Sequence, residues 1–182
     1  MKILKIVLGI IVSLTVIITL VFANYGGFYK VNFQVKDGGG EYLVYQNITG
    51  PYNQTSEMIN KLLYDLKTEN IKTYKSFGIY YDNPKVVPQN KLRSEAGCIL
   101  ETADTAKTFW LRAKFNIKIF PIKKYITAEF PYKGKMSIMI GLIKVYPAMN
   151  KFVRDNGFSE AGPIMELYDM PNKKIIYRKE AI

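Results

Sequence analysis

Glu166 and Tyr168 stand two residues apart in Ile164-Met165-Glu166-Leu167-Tyr168, a stretch that alternates as a β-strand does. Alternation puts Ile164, Glu166 and Tyr168 on one face of that strand, and Met165 and Leu167 on the other, which is expected to face the helices. A carboxylate flanked by aromatic rings attracts an organic cation through its charge and through the ring faces, each face contributing roughly 0.5–2 kcal/mol when desolvated. The plain structural alternative is a cross-strand ion pair of Glu166 with Lys174. Histidine is absent, which removes the commonest general base and metal ligand together. Cys98 is the single cysteine, so no intramolecular disulfide forms, and its strand position marks it as a small buried hydrophobe. No metal-ligand cluster, nucleophile elbow or phosphate loop is legible, and neither a catalytic residue nor a cofactor is expected.

The elements that would position Glu166 repeat. After the Gly26-Gly27 hinge, residues 29–35 alternate as a strand, Gly38-Gly39-Gly40 turns the chain, and residues 41–48 alternate again. Met58, Ile59, Leu62, Leu63 and Leu66 then recur at helical spacing, with Thr55 or Ser56 as candidate N-cap. Strands follow at 76–81 and within 91–101, on either side of a proline-bearing loop. Residues 124–130 begin the same order again, and Gly134 opens a helix whose Leu142, Ile143, Tyr146, Met149, Phe152 and Val153 share a face. Pro147 is expected to start or kink that helix. Strands at 162–169 and 174–179 close the chain.

Gly78-Ile79-Tyr80-Tyr81-Asp82-Asn83-Pro84 aligns with Met165-Glu166-Leu167-Tyr168-Asp169-Met170-Pro171 about 87 residues on, sharing Tyr-Asp-x-Pro at the same place in the element order. The expected fold is therefore α+β: duplicated strand-helix-strand-strand halves form an antiparallel sheet, with helices on one face and a trough on the other. By this repeat Ile79 and Tyr81 line the wall opposite Glu166. Trp110, in the connector between halves, is placed either to cap the trough or to pack in the core.

Residues 6–23 are almost unbroken apolar sequence and, with Ile3 and Leu4, reach the ~20 residues that span a bilayer. The run is longer than the ~7–15 residues usual in a cleaved signal, so residues 1–25 are expected to be a retained transmembrane helix and residues 26–182 the domain it carries. Lys2 and Lys5 before the helix, against Lys30 and Lys36 after it, leave the side of the membrane open. The net charge of +11 comes from scattered bases, which reads as a solvated surface, and a nucleic-acid partner is not expected.

Three stretches together resemble the GyrI-like, or bacterial effector-binding, superfamily: residues 77–84, Lys91-Leu92-Arg93-Ser94-Glu95-Ala96-Gly97, and Gly162-Pro163-Ile164-Met165-Glu166-Leu167-Tyr168-Asp169. The Pro84 to Pro88 loop and the apolar start are most similar to the membrane-anchored branch of that superfamily, which contains an ER-phagy receptor. The resemblance implies that Glu166 sits at the centre of the trough and recognises a small hydrophobic or cationic molecule. The receptor's disordered tail and the DNA-binding segment of the superfamily's regulators have no counterpart before Ile182, so neither role is expected. The alternatives are a protein-interaction adaptor at the membrane, and a small-molecule hydrolase using Glu166 with Tyr168 or Tyr81.

Overall fold

The computed structural model describes residues 2–101 and 108–182. Helix α1, Lys2–Asn24, buries none of its residues against the rest of the chain and is long and apolar enough to cross a membrane. The Thr15 and Thr19 hydroxyls donate to the carbonyls four residues back, at 2.9 and 2.8 Å, so polar atoms in this apolar rod are satisfied by its own backbone.

Two halves of the same design follow. The first is β2 Tyr42–Thr49, α2 Gln54–Thr68, β3 Lys75–Tyr80 and β4 Arg93–Ile99; the second is β6 Lys123–Pro131, α4 Lys135–Asp155, β7 Ile164–Asp169 and β8 Lys174–Glu180. Each half gains an outer strand, β1 Phe33–Gly38 beside β6 and β5 Asn116–Ile119 beside β2, and a short helix α3, Thr108–Leu111, lies between the halves. The sheet order β1-β6-β8-β7-β3-β4-β2-β5 is antiparallel throughout and reads the same from both ends, half for half. The pair β3–β7 is its centre.

Strand β1 begins four residues later than the alternation predicts, and β5, four residues long, is too short for alternation to reveal. The candidate caps Thr55 and Ser56 lie inside α2, and Asn53 stands at its start. Helix α4 runs unbroken through Pro147, which lies on its exposed side.

Six strand spacings separate β1 from β2, about 29 Å if the sheet were flat. The link from Gly38 to Tyr42 spans at most ~14 Å, so the sheet must curl until its ends meet. At the junction the Gly40 amide donates to the Phe120 carbonyl and the Phe120 amide to the Glu41 carbonyl, both 2.8 Å. Gly39 has φ of 103°, and a Cβ there would lie 1.9 Å from the Pro121 carbonyl oxygen, so only glycine fits.

Directly opposed residues share a face, and the row Val44, Cys98, Ser76, Tyr168, Ile175 crosses the sheet beneath both long helices. Leu62 and Leu66 of α2 pack there on Val44 and Cys98. Val145, Met149 and Val153 of α4 pack on Ile126, Tyr168 and Ile175, each such burial contributing roughly 2 kcal/mol. On the inside of the curl a separate core gathers Leu43, Phe77, Ile79, Tyr125, Met165 and Leu167 from both halves.

Candidate ligand site: a carboxylate among tyrosines

Glu166 is on the helix-covered face, the reverse of the expected orientation. Met165 and Leu167 point into the curl, and Glu166 and Tyr168 point toward α4. Alternation separated the two sets correctly, but cannot say which face a helix covers.

The Glu166 carboxylate, 1% exposed, accepts from the Tyr146 hydroxyl of α4 at Oε1 (2.7 Å) and from the Tyr168 hydroxyl at Oε2 (2.6 Å). Tyr177 is directly across from it on β8, Gly78 on β3. The bare Gly78 leaves space that the Tyr80 ring occupies, since a Cβ there would lie 2.7 Å from the Tyr80 hydroxyl. Gly141 does the same for Tyr177, whose hydroxyl would meet a Cβ at 2.4 Å. The Tyr177 hydroxyl is buried and has no hydrogen-bond partner among the described residues.

Burial first, and the Glu166 charge with it, raises the ionisation of Tyr80, Tyr146, Tyr168 and Tyr177 above the ordinary phenol range. These hydroxyls keep their protons at neutral pH, and those of Tyr146 and Tyr168 donate to Glu166. Burial also raises Glu166 above the usual carboxylate range, while the Tyr168 and Tyr146 hydrogen bonds pull it back.

A second tier supports the first with the symmetry of the halves. The Tyr52 ring meets Tyr80 edge-on with centroids 4.8 Å apart, and the Tyr132 ring meets Tyr168 edge-on at 6.4 Å. Both outer tyrosines come from the strand-to-helix link of their half, in the dipeptides Pro51-Tyr52 and Pro131-Tyr132. That repeated Pro-Tyr is the sequence signal that would have found them, and it pairs Tyr80, not Tyr81, with Tyr168.

Ile79 and Tyr81 are therefore not gathered with Glu166: the Tyr-Asp-x-Pro alignment is one residue out of step with the sheet, and one residue is a change of face. They line a cavity of about 220 Å³ inside the curl, with Lys118, Phe120, Met165 and Arg178. Its charges are matched locally. Arg178 pairs with Glu41 at 2.6 Å, Lys123 with Glu180 at 2.7 Å, and Lys118 with Glu95. Burial, then Glu95, raises the Tyr81 hydroxyl.

Trp110 does not join the Glu166 group either. Its neighbour Leu111 takes the inward position in the α2 core, and the indole is half-exposed with the Lys114 ammonium 5.9 Å from its ring centroid. Lys174 pairs with Glu129 at 2.8 Å, not with Glu166. Cys98 is fully buried beside α2, its thiol pushed up to about 12 by burial. Among the described residues no cluster of three metal-ligating side chains occurs.

A duplicated antiparallel sheet under two helices defines an α+β domain assembled from repeated halves. The chain belongs to the GyrI-like small molecule binding domain family, whose model matches residues 34–177. It is 27% identical over 174 residues to testis-expressed protein 264 of Homo sapiens, across 88% of this chain and 53% of that protein. It is 34% identical over 100 residues to the Mus musculus homolog, across 52% of this chain and 32% of that protein. The chain thus spans about half or less of the curated relatives it matches. Its fold is similar to the EcmrR C-terminal domain (TM-score 0.57, 12% identity, 84% of this chain and 98% of that one). It is also similar to SAV2435 bound to tetraphenylphosphonium (TM-score 0.52, 9% identity, 84% of this chain and 94% of that one).

Proposed function

We propose that this chain is a membrane-tethered receptor for a small hydrophobic organic cation, with residues 1–25 as tether and residues 26–182 as receptor. Glu166 supplies the charge, and Tyr80, Tyr146, Tyr168 and Tyr177 supply the walls. The observation that carries the reading is a carboxylate sealed from solvent with two hydroxyl donors and, among the described residues, no cationic partner. An ion in that position lacks several kcal/mol of the solvation it has in water. An organic cation restores the missing opposite charge, and the surrounding ring faces attract the same ligand. The resident rings fill the space, so entry of a ligand requires some of them to turn aside.

Tyrosines that hold their protons favour binding over the hydrolytic alternative, because a phenol raised above its ordinary range is a weaker acid than usual and its phenolate is scarcely populated at neutral pH. The fold shared with SAV2435, a protein with tetraphenylphosphonium bound, supplies the probe. Calorimetric titration of the full chain in detergent micelles with tetraphenylphosphonium is expected to saturate, with Glu166→Gln weaker by about 100-fold, the scale of losing one buried charge partner. A folded wild-type chain that shows no saturable binding overturns the proposal.

A further inference from the structure

The two long helices, equivalent by the repeat, differ on their outer faces. Helix α2 exposes Gln54, Ser56, Glu57, Asn60, Lys61, Lys67 and Thr68, as a solvated helix does, with Tyr64 the single exposed aromatic among them. The first three turns of α4 expose Met136, Met139, Leu142 and Ile143, with Ile143 at 73% and Met139 at 56%. From Pro131 to Arg154 the chain contains Lys133, Lys135, Lys144, Lys151 and Arg154 and no acidic residue. Polar side chains return to this face only from Asn150 onward.

The apolar end of α4 is also the end fastened to α1. The Lys133 ammonium donates to the Asn24 side chain at 3.0 Å, and Lys144 donates to the carbonyls of Gly27 and of Tyr29, the latter at 2.8 Å. Gly26 lies against the Phe130 ring and Pro131, and the Tyr29 ring meets Phe130 edge-on at 5.6 Å. Where α1 leaves the bilayer, the unpartnered face of α4 is therefore only a few residues away.

We propose that the N-terminal half of α4 lies in the interface of the bilayer that α1 crosses, with Met136, Met139 and Ile143 among the acyl chains and Lys133 and Lys135 at anionic headgroups. This rests on the reading of α1 as a membrane anchor. An apolar stripe bordered by lysines is the composition of an interfacial helix, and an exposed patch of this kind on one of two repeated helices marks a contact surface. The domain is thereby held in one orientation on the membrane, with α4 down and α2 toward water.

The test uses the full chain in phosphatidylcholine and phosphatidylserine nanodiscs, labelled with an environment-sensitive fluorophore at Met139→Cys or, as a control, at Tyr64→Cys on α2. The buried, hard-to-ionise Cys98 stays unlabelled. The expected result is blue-shifted emission at position 139 that is lost when the lipids carry nitroxide, with neither change at position 64. In Met136→Asp, which adds a charge to the same face, the label at 139 should return toward the control. Equal emission at both positions overturns the proposal, as does a shielded label that lipid nitroxide does not quench, which would mean that a second copy or another protein covers the face. A chain that fails to stay in the discs overturns the anchor reading itself. Retention in the discs without quenching at 139 overturns only the docking of α4.

Discussion

The two faces of the central strand pair β3–β7 hold sites with opposite electrostatic design. On the helix side one carboxylate is surrounded by hydroxyls and ring faces, and its charge has no partner of opposite sign among the described residues. Inside the curl, Arg178, Lys118 and Lys123 each meet a carboxylate, so that cavity presents an apolar floor with paired charges at its rim. Residues one position apart on the same strands, Glu166 and Met165, Tyr80 and Ile79, belong to different sites. Glu166 meets no cation at ion-pair distance among the described residues, whereas the cavity's charges are paired, so the helix side is the one expected to discriminate by charge.

Removing a ring from each site should separate them most strongly. Tyr177→Ala leaves a hole in the packed helix-side core and should lower stability by about 3–5 kcal/mol, as truncation of a buried aromatic does. Tyr81→Ala, at the partly exposed rim of the curl, should lower it by under ~1 kcal/mol. Chemical denaturation of the two variants measures both, and similar losses would erase the distinction between a packed cage and an open rim.

A smaller effect comes from one hydroxyl. Tyr146→Phe keeps the ring and removes a donor to a buried carboxylate, a hydrogen bond contributing about 1.5–3 kcal/mol, and the loss should shrink to about 0.5–1.5 kcal/mol when the same change is made on Glu166→Gln, whose amide oxygen accepts only a neutral hydrogen bond. A double-mutant cycle checks this coupling.

The smallest effect is the dependence on pH. Burial raises Glu166 above its usual value of 4.5, so the folded chain holds that proton more tightly than the unfolded chain. Its stabilisation is fully present below the unfolded value and is lost as pH rises through the folded one. The melting temperature of the wild-type chain should therefore fall, relative to Glu166→Gln, as pH increases upward from 4.5. Parallel profiles for the two proteins would mean that Glu166 is not perturbed.

Much of this arrangement is legible in the order of residues. Helical spacing at Met58 to Leu66, strand alternation at Ile164 to Tyr168, and the repeat of strand-helix-strand-strand locate the elements and the duplication, because each is a local signal. Alternation also puts Tyr168, which donates to Glu166, on the same face, but the other tyrosines around the carboxylate are not legible that way. Tyr146 and Tyr177 reach it from a helix and a neighbouring strand, contacts that only the tertiary fold creates. Ile79 and Tyr81 were placed with Glu166 by an alignment one residue out of step, and in a strand that error moves every side chain to the other face. Trp110 is the conspicuous residue type in its segment, yet Leu111 beside it takes the buried position.

The most direct test of the account varies charge on both partners. Tetraphenylphosphonium and the neutral triphenylphosphine oxide would be titrated against the full chain and against Glu166→Gln. The wild-type chain should prefer the cation by about 100-fold, the scale of one buried charge pair, and the preference should disappear in the variant. A preference that survives unchanged without the carboxylate would contradict it.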